Sequence, residues 1–98
     1  MSDLQCPATA VLLDDSASMP TWLGQLRIAG RFEAAEDFEE QIDDTADLYR
    51  GETFVVLAPA DHLSRALRER GLPGVVPSII EIDSGGWRTV ALPEAGSA

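Results

Sequence analysis

The sequence contains no lysine, because all seven of its basic residues are arginine, against 17 acidic residues. This absence excludes a Schiff-base amine, the phosphate-binding lysine of P-loop proteins and the lysine that response-regulator receivers use. The formal net charge is −10, and the sequence has none of the basic clusters that release counterions from a nucleic-acid backbone. We therefore expect no nucleic acid among the partners of this chain.

Cysteine and histidine occur once each, at Cys6 and His62. A single cysteine cannot form an internal disulfide, and Cys6 has no cationic neighbour that would favour a reactive thiolate. His62 has no adjacent nucleophile, because Ser64 lies two residues further on and faces another side of a helix. The glycines fit neither GxGxxG nor GxxxxGK, and no metal-ligand spacing occurs. We therefore predict no catalytic, cofactor-binding or metal site, and no enzymatic activity.

Long hydrophobic runs are also absent, since no apolar run approaches the roughly 20 residues that span a bilayer. Residues 1–7 contain no basic segment of the kind that opens a signal peptide. We expect no direct membrane insertion and a cytoplasmic location, whether free or peripheral to a membrane complex. The length of 98 residues predicts a single domain over residues 1–98, with residues 1–7 and 93–98 as flexible ends.

The apolar residues that are present form short segments with the composition of strands. These strand candidates are residues 8–13, 53–58, 78–82 and 87–92, with residues 31–35 as a weaker candidate for an edge strand. The first is continuous enough to be buried on both faces of a sheet. The residues expected in the core of the sheet are Leu12, Val55, Val56, Ile80 and Ile82. The turn Asp83-Ser84-Gly85-Gly86 would join the last two candidates into a β-hairpin.

Three other segments carry apolar residues at helical spacing. The first is residues 20–29, which Gly30 would end, and the second is residues 36–49. The third begins with Asp61 as a cap and stops at Gly71. Strands and helices thus alternate, which predicts a small α/β domain of Rossmann-like or receiver-like type. It would have three layers, with helices on both faces of a mostly parallel sheet, and a C-terminal β-hairpin.

Asp14 and Asp15 follow the first strand, at the edge where the ligand crevice of a parallel sheet lies. They are similar to the acidic pair that holds a divalent cation in response-regulator receivers. Pro59, however, stands where a receiver carries its acceptor aspartate. The pattern favours a turn that starts the following helix, and cation binding by the two aspartates is left open.

Negative charge is concentrated in residues 36–49, more than the solubility of a small domain requires, and the acids near the helix end oppose its dipole. We predict that this helix docks a protein partner with a basic face. The proposed contact residues are Glu39, Glu40, Asp43 and Asp44. Trp22 and Arg27 form a rival surface, because tryptophan and arginine are enriched at interface hot spots. Trp22 could equally belong to the core.

Two motifs, in the same order along the chain, resemble the F subunit of V-type and A-type rotary ATPases. Residues 24–30 (GQLRIAG) resemble that family's GFRLAG segment. Residues 77–84 (PSIIEIDS) follow its pattern of a proline, aliphatic residues and E-I-P-S, with Asp83 in place of the second proline. Between them, an acidic helix and an aliphatic strand come in the family's order.

This resemblance runs from about Ala10 to Ser84 and implies a Rossmann-like domain without catalysis of its own. Proteins of that family belong to the central stalk that couples ATP hydrolysis or synthesis to ion transport, where they bind the coiled-coil D subunit. Members of the family continue into a C-terminal helical segment, whereas residues 85–98 have the pattern of a hairpin strand and a tail.

A second resemblance concerns residues 78–92, which are similar to the last hairpin of histidine phosphatases. Those enzymes carry Arg-His-Gly after the first strand, where this chain has Asp14-Asp15-Ser16, and a second histidine near the position of Ala60. Both catalytic positions are therefore lost. The alternative function is a regulatory protein-interaction domain, either a pseudo-phosphatase or a STAS-like domain, that acts as an acidic partner protein.

Overall fold

The computed structural model describes residues 7–16, 20–33, 38–83 and 85–90, which form five strands, two α-helices and one 3-10 helix. The strands are β1 (Ala8–Asp14), β2 (Ile28–Glu33), β3 (Thr53–Ala58), β4 (Ser78–Asp83) and β5 (Gly86–Val90). The helices are α1 (Phe38–Leu48), α2 (Ala60–Glu69) and the 3-10 helix Thr21–Gln25. Apart from Pro7, the predicted flexible ends lie outside the described residues.

The five strands form one mixed sheet in the order β2-β3-β1-β4-β5. The pairings of β1 with β3 and of β3 with β2 are parallel, and those of β4 with β1 and with β5 are antiparallel. The predicted α/β class and the hairpin are confirmed. A mostly parallel, Rossmann-like or receiver-like sheet is not confirmed. The receiver-like order is 2-1-3-4-5, whereas here β3 lies between β1 and β2.

The direction of β4 follows from the path of the chain after α2. Instead of entering the sheet where α2 ends, residues 70–77 run back along that helix, and the hydroxyl of Ser64 donates to the carbonyl oxygen of Gly74 at 2.9 Å. The chain therefore reaches the sheet near the carboxyl end of β1, where Ser78 lies opposite Leu12. From that end, β4 can only run antiparallel to β1.

Alternate residues of the central strands divide the core into two clusters, one on each face of the sheet. We call the first the helix-side cluster, and its largest fully buried side chains are Leu12, Phe54, Ile80, Ile42 of α1, and Leu63 and Leu67 of α2. The buried residues of the opposite cluster are Val11, Leu13, Val55, Ile79 and Trp22 of the 3-10 helix. Both α-helices thus cover the same face, and the predicted three layers are not confirmed in the described part of the chain.

The prediction of a helix over residues 20–29 is wrong. A 3-10 helix spans Thr21–Gln25, Leu26 is already extended, and Ile28 and Ala29 belong to β2. Gly30, expected to end a helix, lies inside β2 beneath the ring of Tyr49. A Cβ at this position would lie 2.3 Å from the hydroxyl oxygen of Tyr49, so only glycine permits this approach. The predicted edge strand exists, but it begins three residues earlier than expected.

In the two remaining helices, the described apolar residues predicted to be buried face the core. In α1, Ile42 and Ala46 are buried and Tyr49 stacks on Phe54 with ring centroids 5.5 Å apart. In α2, the cap is Pro59, with no side-chain hydrogen bond, and Asp61 lies within the first turn, so its prediction as the cap is wrong.

Gly71 ends α2 as predicted, with φ at +75°. The amide of Leu72 donates to the carbonyl oxygen of Leu67 at 2.9 Å, and that of Gly71 donates to the carbonyl oxygen of Arg68 at 3.0 Å. This is the Schellman arrangement, in which a left-handed glycine satisfies the last carbonyl groups of a helix.

Candidate protein-binding surface

The predicted acidic helix has one buried side and one exposed side. Ile42 and Ala46 turn into the helix-side cluster, and the opposite side of the helix faces solvent. Glu40, Asp44 and Asp47 are exposed, and we call these three carboxylates the acidic surface. The side chain of Glu39, also predicted here, lies outside the described residues.

Asp43 lies next to the acidic surface but is held within the fold. One carboxylate oxygen accepts a hydrogen bond from the indole Nε1 of Trp87 at 2.8 Å, and the other pairs with Nη2 of Arg70 at 3.1 Å. The guanidinium of Arg70 also lies over the Trp87 ring, 4.2 Å from its centroid. Three elements distant in sequence therefore meet at one carboxylate. Asp43 therefore has a role in the fold, and its predicted role as a docking residue stays a prediction.

A groove of about 290 Å³ separates α1 from the hairpin of β4 and β5. It is lined by Asp43, Asp44, Ala46, Asp47, Arg50, Arg70, Ile82, Asp83 and Gly86. Four carboxylates face two guanidinium groups, and Arg50 pairs with Asp47 at 3.0 Å. The groove is thus negatively charged, and its charge continues that of the acidic surface.

The hairpin of β4 and β5 also carries ion pairs of its own. Arg88 contacts Asp83 at 2.8 Å and Glu81 at 3.0 Å, and the amide of Gly85 donates to Asp83 at 2.8 Å. The hydrogen bond from Arg88, together with that from Gly85, lowers the pKa of Asp83 below its usual range. Asp83 therefore stays ionised and fixes the turn.

Of the two residues predicted to form the rival surface, Trp22 and Arg27, only Arg27 lies at the surface. Trp22 is only 3% exposed and packs in the opposite cluster, which confirms the core alternative and corrects its assignment to a docking surface. Its indole covers sheet residues that would otherwise face water. Arg27 is exposed in the link between the 3-10 helix and β2.

The other residues considered from the sequence have structural surroundings. Asp14 accepts hydrogen bonds from the amide and the hydroxyl of Ser16, at 3.0 and 2.9 Å, as expected of a turn. The hydroxyl of Ser64 is engaged with Gly74, and His62 is partly buried in the first turn of α2. Cys6 lies outside the described residues. Within the described ranges, no three histidine, cysteine or carboxylate side chains converge as metal ligands.

Three residues near this surface were not identified from the sequence. Arg70 and Trp87 hold Asp43 from 27 and 44 residues away, distances at which no local pattern reveals a contact. Leu48, at the end of α1, is 80% exposed. Its position off the apolar stripe of the helix could have indicated that exposure.

Comparison of the chain with protein-family models, with curated proteins and with solved structures gives no match. None of the described helices has the length and apolar character needed to cross a membrane.

Proposed function

We propose that the chain is a non-catalytic protein-binding domain that docks the basic face of a partner protein through its acidic surface. The observation that carries this proposal is the separation of roles within α1. Asp43 serves the fold, whereas Glu40 and Asp44 are exposed, and the last turn of the helix contains no basic residue.

The placement of Asp44 and Asp47, towards the carboxyl end of α1, is unfavourable for the isolated domain. The carboxyl end of a helix carries partial negative charge, and an acidic side chain there costs some tenths of a kcal/mol. A basic partner would reverse the sign of that interaction and would also speed the encounter of the two proteins. The exposed Leu48 at the same end supplies an apolar contact beside the charges. A docking role for this end of α1 would account for both the acidic side chains and the exposed leucine.

The resemblance to the rotary-ATPase F subunit supports a particular partner, the coiled-coil D subunit of the same stalk, and a role in coupling ATP hydrolysis or synthesis to ion transport. A cytoplasmic location at the periphery of a membrane complex belongs to the same proposal. The parallel unit of β2, α1 and β3 supports the Rossmann-like fold that this resemblance implies. The antiparallel pairings of β4 differ from that fold.

The proposal is tested by the kinetics of binding to the immobilised coiled-coil D subunit from the same organism. In the test variant, Glu40→Arg is combined with Asp44→Arg, and Asp43 is left intact because its replacement would disturb the fold. The matched control combines Asp15→Arg with Glu69→Arg, two exposed acids outside α1 that give the same change of charge.

We expect the test variant to associate at least tenfold more slowly than the control and to lose most of the salt dependence of association. Exposed charges are screened over about 10 Å at 0.1 M salt, so binding of the unmodified chain should slow as salt rises. Equal association rates for test and control variants would exclude the acidic surface as the docking site. No binding by the unmodified chain would exclude the coiled-coil D subunit as the partner.

A further inference from the structure

Strand β2 lies at one edge of the sheet, and within the described ranges no strand pairs with its outer side. An edge strand presents N–H and C=O groups that can pair with a strand of another molecule. Arg31 and Glu33 are both exposed, and because they are two residues apart they share one face of the strand. Phe32 lies on the other face, partly buried, and stacks on Phe54 with centroids 6.1 Å apart.

We propose that β2 pairs antiparallel with β2 of a second copy of this chain, about a two-fold axis at Phe32. In this register Arg31 of each copy lies opposite Glu33 of the other, so that two pairs of opposite charge form on one face. On the other face, the two Phe32 side chains meet and cover one another. Directly opposed charges and aromatic pairs are the contacts that stabilise antiparallel strands.

The other edge of the sheet does not have this self-complementary pattern. Arg88 is the one charged residue of β5, and it is already paired with Asp83 and Glu81. No antiparallel register of β5 with its copy would bring opposite charges of that strand together. The charge pattern therefore selects β2 as the self-pairing edge.

The geometry of β2 also bounds the size of the contact. The pairing of β2 with β3 shifts register between Ile28 and Gly30, so the regular part of the strand runs from Gly30 to Glu33. A contact of a few residues per copy lies at the small end of specific interfaces. We therefore expect a weak, reversible dimer whose population rises with protein concentration.

The experiment is sedimentation equilibrium of the full chain and its variants, over a range of protein concentrations at about 0.15 M salt. Arg31→Glu places glutamates opposite each other, and Glu33→Arg places arginines opposite each other. Each variant should raise the dimer dissociation constant at least tenfold. A mixture of the two variants should restore association, because every Glu–Glu or Arg–Arg contact becomes Glu–Arg in the mixed dimer.

The matched controls are Arg65→Glu and Glu69→Arg, which make the same changes of net charge at exposed positions of α2. Glu33→Arg is especially informative, because it makes an acidic chain less negative, which by net charge alone would strengthen self-association. Circular dichroism establishes that each variant is folded. Full association of both controls, together with loss and restoration in the test variants, supports the proposal. A monomeric unmodified chain, single variants that match the controls, or a mixture that does not associate would overturn it.

Discussion

Replacing Asp43 with alanine tests the contact at which α1, the segment after α2, and the hairpin meet. The change removes the acceptor of the Trp87 indole hydrogen bond and one half of the ion pair with Arg70. The stacking of Arg70 on Trp87 does not involve Asp43 directly and should persist. Stability should therefore fall by the sum of two interactions, reduced by the better helix propensity of alanine.

The magnitude follows from the exposure of the groups. A hydrogen bond to a charged group contributes about 1.5–3 kcal/mol, and Trp87 is only 8% exposed, so water replaces the lost acceptor poorly. The Arg70 and Asp43 side chains are 30% and 44% exposed, which places their ion pair in the range of about 0.2–1 kcal/mol. The higher helix propensity of alanine offsets roughly half a kcal/mol of this loss. The expected loss in the free energy of unfolding is about 2 kcal/mol.

Urea unfolding followed by circular dichroism measures this loss. With a slope of about 1–3 kcal/mol per M, the midpoint should fall by roughly 0.7–2 M. Asp44→Ala is the control, because Asp44 is the adjacent, exposed aspartate of the same helix. A midpoint for Asp43→Ala equal to that of Asp44→Ala would refute the reasoning. So would a double-mutant cycle with Trp87→Phe in which the two effects simply add.

Three further predictions concern the sheet, the turn and the chemistry of the chain. Gly30→Ala should lower the free energy of unfolding by about 1–3 kcal/mol, because the new Cβ would lie 2.3 Å from the Tyr49 hydroxyl oxygen. Thermal unfolding should show a smaller loss when Gly30→Ala is made in a Tyr49→Ala background. Because the pKa of Asp83 is lowered in the folded chain, its stabilisation is present above the ordinary pKa of 3.8 and is lost as pH falls through the lowered value. The difference in unfolding free energy between the unmodified chain and Asp83→Asn should therefore shrink below pH 3.8, and a constant difference would contradict this. Finally, the chain should hydrolyse a generic phosphomonoester only at background rate, and turnover that His62→Ala abolishes would show the non-catalytic proposal to be wrong.

The segments of regular structure could be predicted largely from local patterns. The strand over Thr53–Ala58 has the bounds that its run of β-branched and aromatic residues indicates, and α1 lies within its predicted range. Leu12, Val55 and Ile80, expected in the core, are buried. These features depend on neighbouring residues, and the sequence shows those directly.

The arrangement of the segments could not be predicted in the same way. Residues 20–29 have a helical stripe, but burial of Trp22 against the sheet and pairing of Ile28 with Thr53 outweigh the weak helical preference of so short a segment. The direction of β4 is set by the path of the loop over residues 70–77. The glycines and prolines of this segment indicate a loop, but they do not indicate its path. The role of Asp43 depends on partners far along the chain. Tertiary contacts determine the structure of residues 20–29, the direction of β4 and the role of Asp43. Local sequence patterns do not reveal such contacts.

The unequal covering of the two faces of the sheet implies two levels of stability within one small domain. The helix-side cluster is covered by α1 and α2, whereas the opposite cluster is covered, among the described residues, by a five-residue 3-10 helix that Trp22 anchors. Segments with few buried contacts open at a lower free energy than the whole molecule unfolds. We therefore expect Thr21–Gln25 to detach as a unit while the helix-side half remains folded. Such sub-global opening would expose Val11, Val55 and Ile79 to water long before the chain as a whole unfolds.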